Sequence, residues 1–277
     1  MDLPSYDLHC HSTASDGALA PLELLERARS RGIKILALTD HDTVQGVREI
    51  ERYSDEEIKI IPGTELTCLW NGRVIHLVGL GFDSGSSELN AYLARINELR
   101  VARSQAIAQR MVKLGLPDLY DDAQKLAGNG VVGRPHYARA MVEKGLVSNE
   151  QQAFKKYLGA GKRGDVKMEW PSIEEAVSVI KRAGGVSVIA HPTKYKMTFT
   201  KIRALVADFV SIGGDGIEIS YPGATPDHQF HLLRIATENR LMVSAGSDFH
   251  TPSNGWTDLG KYPPLKGQEN HVLNYLL

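Results

Sequence analysis

Two segments at opposite ends of the chain carry pairs of metal-binding side chains that are separated by one residue. His9 and His11 lie in the first of them, and Asp248 and His250 follow an apolar run in the second. Because side chains two residues apart on a strand face the same side, each pair can direct two ligands toward one point. Neither pair alone is specific for a metal, so a metal site is indicated only if other parts of the chain supply further ligands.

Five more residues of the same chemistry lie at or near the ends of other apolar runs. Asp16 follows in a Ser-Asp-Gly turn, His41, Glu65 and His191 follow strand-like runs, and His76 lies inside one. A lone histidine at a strand end more often packs or forms a hydrogen bond, but repetition along the chain argues against that explanation here. The candidate metal ligands are His9, His11, Asp16, His41, Glu65, His76, His191, Asp248 and His250.

Nine nitrogen and oxygen ligands are more than one ion uses, and they suffice for two or three ions if a carboxylate bridges. Imidazole and carboxylate ligands without a thiolate suit Mn²⁺, Fe²⁺ or Zn²⁺. The two cysteines, Cys10 and Cys68, are expected to pack in the core. The ligand set therefore predicts a site for two or three divalent metal ions.

These side chains require a scaffold that brings the ends of several strands together. Helical patterns separate most of the strand-like runs, and (β/α) barrels build their active sites at the carboxyl ends of their strands. We therefore expect an α/β protein whose first 80 residues form βαβ units. Seven runs of strand length start near Asp7, Ile33, Ile58, Arg73, Gly185, Gly216 and Leu241.

Strand signals disappear between about Glu88 and Lys167, where helical patterns separated by glycines take their place. None of the nine candidate ligands lies in this block. We therefore expect a discontinuous barrel domain formed by residues 1–87 and 168–277. Residues 88–167 are expected to form a helical insertion that caps the mouth of the barrel.

The composition of the 277 residues excludes several classes of protein. There are 32 Lys and Arg against 33 Asp and Glu, a net charge of -1, which excludes binding to nucleic acid through overall charge but leaves a local contact open. Only two cysteines occur, which fits a reducing compartment. Residues 1–6 lack the features of a signal peptide, and no apolar run approaches the ~20 residues that span a bilayer. We expect a cytoplasmic protein without a membrane segment or an obligate protein partner.

Five motifs, taken in order, resemble those of the PHP family, which is named after polymerase and histidinol phosphatase and is grouped with the amidohydrolase superfamily. The resemblance implies a distorted (β/α)₇ barrel and a phosphoesterase with three divalent ions, usually Mn²⁺. Within the family, the chain resembles the branch of 3′,5′-nucleotide bisphosphate phosphatases and 5′–3′ exoribonucleases. The motifs are Asp7 to Ser12, Thr39 to Asp42, Gly63 to Glu65, Ala190 to Pro192 and Gly246 to His250.

The resemblance also implies how the ligands are shared among the ions. Glu65, Asp248 and His191 are the expected catalytic residues, because a hydroxide that bridges the first two ions would attack the phosphorus. Asp40 and Asp42 are expected to orient imidazole rings, with a solvated carboxylate in a turn as the alternative for each. The first ion is expected on His9, His11, Glu65 and Asp248, the second on Glu65, His76 and His191, and the third on Asp16, His41 and His250.

Four residues outside the ligand set are expected to bind the substrate. Arg134 and His136 open a helix, and an arginine at a helix N-terminus suits a second phosphate. Arg103 on a long helix and Lys194 near a candidate ligand add positive charge, whereas Arg100 is expected on a solvated face. One phosphate at the metals and an anion clamp several ångströms away describe a nucleoside bisphosphate.

We therefore predict hydrolysis of the 3′-phosphate of 3′,5′-bisphosphonucleosides to the 5′-monophosphate and phosphate. A 5′–3′ exoribonuclease acting on short RNA would use the same metals and clamp, and it is the alternative. Another small phosphomonoester phosphatase and a metal-binding module without catalysis are less favoured. Tyr137, Tyr195 and Tyr221 are candidates for stacking on a nucleotide base.

Overall fold

The computed structural model describes residues 5–128, 130–252, 257–265 and 270–277, so residues 1–4 of the N-terminal stretch considered above lie outside it. The described strands form one seven-stranded sheet in which neighbours follow the order of the chain. They are β1 Tyr6–Asp7, β2 Ile35–Leu38, β3 Lys59–Trp70, β4 Arg73–Leu80, β5 Val186–Ile189, β6 Gly216–Ser220 and β7 Met242–Ala245.

The described helices lie between and after these strands. A short π-helix, Phe154–Leu158, continues α6, and Ser172 and Glu175 form a capping box that starts α7. The helices are α1 Pro21–Ser30, α2 Gln45–Ile50, α3 Ser87–Lys113, α4 Tyr120–Ala127, α5 Arg134–Glu143, α6 Glu150–Ala153, α7 Ile173–Arg182, α8 Phe199–Ser211, α9 Pro226–Glu238 and α10 Leu273–Leu276.

Strand direction departs from the sequence-based expectation at one place. β4 is antiparallel to both β3 and β5, whereas the other neighbouring pairs are parallel. Asn71 and Gly72 alone separate β3 from β4, both with positive φ, which is the geometry of a tight hairpin turn. The expectation of βαβ units is therefore wrong for β3 and β4, because a parallel crossover needs about a dozen residues.

The two ends of the sheet approach one another just beyond β1 and β7. Cys10 forms a parallel bridge with Phe249, so the sheet is nearly closed. This arrangement confirms the α/β class and the distorted (β/α)₇ barrel. All residues of β2, β5 and β6 are buried, as expected for strands that are covered on both faces.

The described residues divide into two compact units. The barrel unit contains the described residues up to Tyr92 and from Pro171 onward, and the helical unit is Leu93–Trp170. Each has its own hydrophobic core, which includes Leu8 and Val188 in the barrel unit and Met111 and Tyr137 in the helical unit. The capping of the barrel mouth stays a prediction. Among the described helices, none has the length and apolarity needed to cross a bilayer.

Candidate active site

The loops that follow β1 and β7 lie side by side and present several candidate ligands. Asp248 donates its backbone N–H to the carbonyl of His9 at 2.7 Å. The carboxylate of Asp7 accepts the N–H groups of His9 and Ser247 at 3.2 and 2.9 Å and so ties the two loops together. As a result, Asp248 Oδ1 lies 3.6 Å from Nε2 of His9 and 3.3 Å from Nε2 of His11.

Glu65 on β3 lies among five imidazole rings, and its two carboxylate oxygens face different sets of them. Oε1 is 2.9 Å from Nδ1 of His76 and 2.9 Å from Nε2 of His191. Oε2 is 3.2 Å from Nε2 of His9 and 3.3 Å from Nε2 of His11. A carboxylate between two sets of ligands has the geometry of a bridging group.

A third set of side chains lies next to this carboxylate. Asp16 Oδ1 is 3.3 Å from Nε2 of His250, and Asp16 Oδ2 is 3.8 Å from Nε2 of His41. Nδ1 of His41 is in turn 3.0 Å from Glu65 Oε2. The ring of His11 stacks on that of His250 with 4.1 Å between centroids, so the third set is continuous with the others.

All nine candidate ligands therefore come together in the barrel unit. They fall into four overlapping groups, and within each group one ligand atom per residue lies within 4.8 Å of the others. The partition of these residues among three ions stays a prediction. The groups are His11, Asp16, His41 and His250; His9, Glu65 and His191; His9, His11 and Asp248; and His41, Glu65 and His76.

The reversed direction of β4 explains how a residue inside a strand reaches this cluster. His76 pairs with Thr67, which lies two residues beyond Glu65 on β3. Because β4 runs against its neighbours, its first half lies at the edge where the parallel strands end. His76 therefore joins the other ligands although its position in the sequence suggests a site within the sheet.

Burial and the close packing of charges shift the pKa values of the cluster. Burial alone would raise the pKa of Glu65 and of Asp248, but the neighbouring imidazoles, led by His41 and His9 respectively, hold both values well below the ordinary range. Burial lowers the pKa of His11 and His41. Neutral His11 and His41 beside ionised carboxylates offer the donor atoms that a divalent cation requires. Burial alone would also lower the pKa of His9 and of His250, but neighbouring carboxylates, led by Glu218 and Asp16 respectively, instead raise both values.

Several buried ligand atoms form no hydrogen bond with the described part of the chain. They include Nε2 of His9, both ring nitrogens of His11, and Oε2 of Glu65. A buried polar atom without a partner is destabilising, and native proteins contain few of them. Divalent cations among these atoms would satisfy them together, so the residues present fit metal ions.

Lys194 lies against the ligand cluster. Its Nζ is 2.5 Å from Oδ2 of Asp248 and 5.8 Å from the centroid of the Tyr221 ring. Burial lowers the pKa of this lysine, but Asp248 outweighs that effect and the net pKa is raised. A protonated ammonium group therefore lies beside the candidate ligands.

Two of the three tyrosines suggested for base stacking are fully buried. Tyr137 and Tyr221 are 0% exposed, so neither can stack on a base, and that prediction is wrong for both. The hydroxyl of Tyr221 accepts the N–H of Thr193 at 3.0 Å. The hydroxyl of Tyr195 accepts the N–H of His76 at 2.9 Å and so fixes the backbone of a candidate ligand.

Arg103 and Arg134 lie close to one another in the helical unit. Nη2 of Arg103 is 3.4 Å from Oδ1 of Asp165, and its Nε donates to the carbonyl of Val166 at 2.9 Å. Nη1 of Arg134 donates to the carbonyl of Leu158 at 3.3 Å. Burial lowers the pKa of Arg103 to about 10, and the neighbouring charge of Arg134 contributes to the shift.

Two neighbours complete the description of this region. Nδ1 of His136 accepts the N–H of Gly133 at 2.9 Å, so the ring closes the first turn of α5, and its role in substrate binding stays a prediction. The guanidinium of Arg100 is 5.8 Å from the Trp170 ring, as is that of Arg103. Arg100 is half-buried against this ring, so the expectation of a solvated face is wrong.

Comparison with known proteins decides the family. A model of the PHP domain matches residues 7–127. A 5′-3′ exoribonuclease of Haemophilus influenzae is 49% identical over 257 residues, which cover 92% of this chain and 93% of that protein. The chain belongs to the PHP family. This membership confirms the resemblance carried by the five motifs, and it confirms the prediction of a hydrolase.

Two further PHP relatives match over nearly the full chain. A 3′,5′-nucleoside bisphosphate phosphatase of Chromobacterium violaceum is 38% identical over 268 residues, with 95% of this chain and 94% of that protein covered. An amidohydrolase structure from the same species, with bound sulfate and no metal, is similar with a TM-score of 0.92 at 36% identity. That match covers 98% of this chain and 95% of the other.

Sequence reasoning missed two carboxylates of this PHP site and misassigned a third. Asp7 and Glu218 are fully or almost fully buried beside candidate ligands, and the signal for Glu218 was a charged residue inside an otherwise apolar strand. Asp40 accepts the N–H and the hydroxyl of Ser12 at 2.8 and 2.7 Å. Asp40 therefore holds the loop after β1, and the expectation that it orients an imidazole is wrong. Asp42 accepts the backbone N–H of Thr67 at 2.6 Å.

Proposed function

We propose that this protein hydrolyses the 3′-phosphate of 3′,5′-bisphosphonucleosides to the 5′-monophosphate and phosphate. The observation that carries the proposal is the arrangement of nine ligand side chains in four overlapping groups around Glu65. Several divalent ions held there would attract a phosphate dianion and remove its repulsion toward hydroxide. The C. violaceum relative named as a 3′,5′-nucleoside bisphosphate phosphatase supports the same substrate.

Three divalent ions are proposed, with Mn²⁺ preferred and Fe²⁺ or Zn²⁺ also suited to imidazole and carboxylate ligands. Bound there, the ions supply hydroxide from water at neutral pH and compensate the charge of the phosphate. Glu65 would bridge two of them, because its two oxygens face different sets of rings. The proposed sets are His9, His11, Glu65 and Asp248; Glu65, His76 and His191; and Asp16, His41 and His250.

The reaction breaks the bond between phosphorus and the 3′-oxygen, and a water oxygen takes its place on phosphorus. One proton of that water ends on the 3′-oxygen, which leaves as a hydroxyl group. Lys194 has a protonated Nζ that contacts Asp248, and we assign it to bind a phosphoryl oxygen. Asp248 keeps Oδ1 directed at His9 and His11 while Oδ2 holds the lysine. One side chain thus connects the ligand cluster to a group that binds the substrate.

The second phosphate is assigned to Arg103 and Arg134, with His136 beside them at the start of α5. Burial and neighbouring positive charge depress the pKa of Arg103, although Asp165 partly compensates. Burial also lowers the pKa of Arg134. A phosphate bound between two guanidinium groups would relieve their repulsion, which supports an anion site in the helical unit.

Replacing Arg134 by alanine is expected to lower kcat/KM for adenosine 3′,5′-bisphosphate far more than for an aryl phosphate. Only the bisphosphate carries the second anion. A charge-assisted contact of this kind contributes about 1.5–3 kcal/mol, or about ten- to hundredfold in specificity. The measurement is kcat/KM for both substrates in the wild type and in Arg134→Ala.

Arg139→Ala provides the matched control, because Arg139 lies on the same helix and pairs with Glu150 at 4.0 Å. It is expected to keep the wild-type ratio between the two substrates. An equal loss on both substrates in Arg134→Ala would mean that the arginine stabilises the helical unit and binds no phosphate. A wild type without activity on the bisphosphate would contradict the proposed function itself.

A second candidate function, 5′–3′ exoribonuclease activity on short RNA, is favoured by how the charge is distributed. Residues 93–170 contain 14 Lys and Arg against 8 Asp and Glu, a charge of +6, whereas the rest of the chain contains 18 against 25, a charge of -7. The near-neutral net charge of the chain is therefore the sum of a basic helical unit and an acidic remainder. The exoribonuclease of H. influenzae supports the same candidate.

We propose a cytoplasmic location for this protein, whichever of the two substrates it hydrolyses.

The helical unit also carries a basic groove of about 560 Å³ beside α3. Arg110, Lys113 and Arg163 line it together with Ala106, Gln109, Leu114 and Val166, and none of the described residues that line it is acidic. Basic grooves bind single strands through their phosphates, with strong dependence on salt. The groove therefore suits an RNA strand better than a single nucleotide.

Replacing Arg110, Lys113 and Arg163 together by glutamine is expected to weaken binding of a 5′-phosphorylated RNA oligomer. Three lost phosphate contacts would reduce the slope of log K against log salt by about two for a single strand. The bisphosphate carries no phosphate beyond the two already assigned, so it should be hydrolysed at the wild-type rate. Unchanged RNA affinity and slope would exclude the groove, and a wild type that leaves RNA intact would exclude this second function.

A further inference from the structure

Glu218 is a buried carboxylate in the middle of a strand. It lies on β6, all five residues of which are buried, and it is 1% exposed. An ionised carboxylate in such a place is costly unless both of its oxygens are satisfied. Oε1 lies 2.7 Å from Nδ1 of His9, and Oε2 accepts the backbone N–H of His191 at 2.6 Å.

The first contact fixes the tautomer of His9. A carboxylate only accepts hydrogen bonds, so Nδ1 of His9 must carry the proton that Oε1 receives. The lone pair of the ring is then on Nε2 when the ring is neutral. Nε2 is the atom that lies 3.2 Å from Glu65 Oε2 and 3.6 Å from Asp248 Oδ1, where the first proposed ion would bind.

The second contact fixes the backbone of His191. The backbone of this residue has φ 30° and ψ 57°, in the left-handed region that residues other than glycine rarely adopt. The bond from its N–H to Glu218 offsets the strain of that conformation. Its ring is thereby held with Nε2 2.9 Å from Glu65 Oε1, on the side of the second proposed ion.

We infer that Glu218 is a positioning residue that orients one ligand of each of the two metal sites that Glu65 bridges. The inference rests on the proposed metal-dependent function. It adds Glu218 to the nine candidate ligands as a tenth residue of the site, and unlike them Glu218 would contact neither the ions nor the substrate. Its two oxygens act on two different ligands, one through a ring and one through the backbone. Loss of either contact should therefore weaken metal binding before it affects the fold.

The test is the affinity for Mn²⁺ of Glu218→Gln, measured by calorimetric titration without substrate. An amide offers one acceptor and one donor, so it cannot accept from both His9 and His191. Replacement of such partners of metal ligands weakens metal binding by about ten- to hundredfold. Asp215→Asn is the matched control, because Asp215 precedes β6 and accepts two hydrogen bonds at 2.9 Å from Ser187, which is not a candidate ligand.

A second measurement remains informative if Glu218→Gln fails to fold. Long-range ¹H–¹⁵N spectra of the wild-type protein loaded with Zn²⁺ should show His9 protonated at Nδ1, and the spectrum of His9→Gln assigns the signal. A proton-free Nδ1 would overturn the inference. The inference would also be overturned if Glu218→Gln bound Mn²⁺ with wild-type affinity, or if Asp215→Asn lost as much Mn²⁺ affinity as Glu218→Gln. A wild type that binds no divalent metal would instead contradict the proposed function.

Discussion

Replacing Glu65 by glutamine is expected to lower kcat/KM for a 3′,5′-bisphosphonucleoside by about a thousandfold or more, since charge compensation by metals contributes several kcal/mol. The carboxylate contacts five imidazoles, His9 and His11 among them. Glutamine keeps the shape of the side chain but removes the negative charge that two ions would share. The measurement is steady-state hydrolysis with saturating Mn²⁺.

The Glu65→Gln protein is expected to remain folded. The backbone of Glu65 accepts the N–H of Asp42 at 2.9 Å and donates to Asp40 at 3.2 Å, and neither bond involves the side chain. Circular dichroism should therefore match the wild type. Glu57→Gln, an exposed change in the loop before β3, should retain full activity. Turnover of Glu65→Gln at the wild-type rate would show that the bridging assignment is wrong.

Removal of divalent metal is the second change with a large expected effect. Chelation should abolish hydrolysis, and Mn²⁺ should restore it, because the ligands lie within 4.8 Å of one another in each group and have few other partners. An ion at one hundred times its dissociation constant stabilises the folded state by about 2.7 kcal/mol per site. For a chain of this length that is a rise in Tm of about 5–10 °C.

The metal content and the thermal shift are measured together, and three ions per chain are expected. His231→Asn is the control, because His231 lies on α9, outside the four ligand groups, and pairs with Asp227 at 3.5 Å. Its metal content and thermal shift should equal those of the wild type. A single bound ion, or a Tm that does not respond to metal, would contradict the three-ion proposal.

The ligand set could be predicted from sequence because strand periodicity and strand ends are local properties. His9 and His11 share a face through the period of two, and Glu65 follows an apolar run. The two-residue turn at Asn71 and Gly72 makes β4 antiparallel to β3. These two residues identify a hairpin only once it is known that the strands on either side of them pair with each other. An apolar strand pattern gives no direction, so it could not show how His76 reaches the cluster.

Other features depend on contacts between distant parts of the chain. Glu218 lies 209 residues from His9 in sequence, and only the closure of the barrel brings them to 2.7 Å. The burial of Tyr137 and the stacking of Arg100 on Trp170 likewise arise from packing within the helical unit. Residue type and spacing identify candidates for such roles, but they do not determine which atoms meet.

The bridge between Cys10 and Phe249 has a consequence for the synthesis of the protein. Asp248, which completes the first proposed metal set with His9 and His11, is synthesised long after them. A nascent chain that stops before residue 248 cannot assemble that set at any metal concentration. If the proposed assignment holds, incomplete translation products would be inactive, and hydrolysis would begin only after the two ends of the sheet have met.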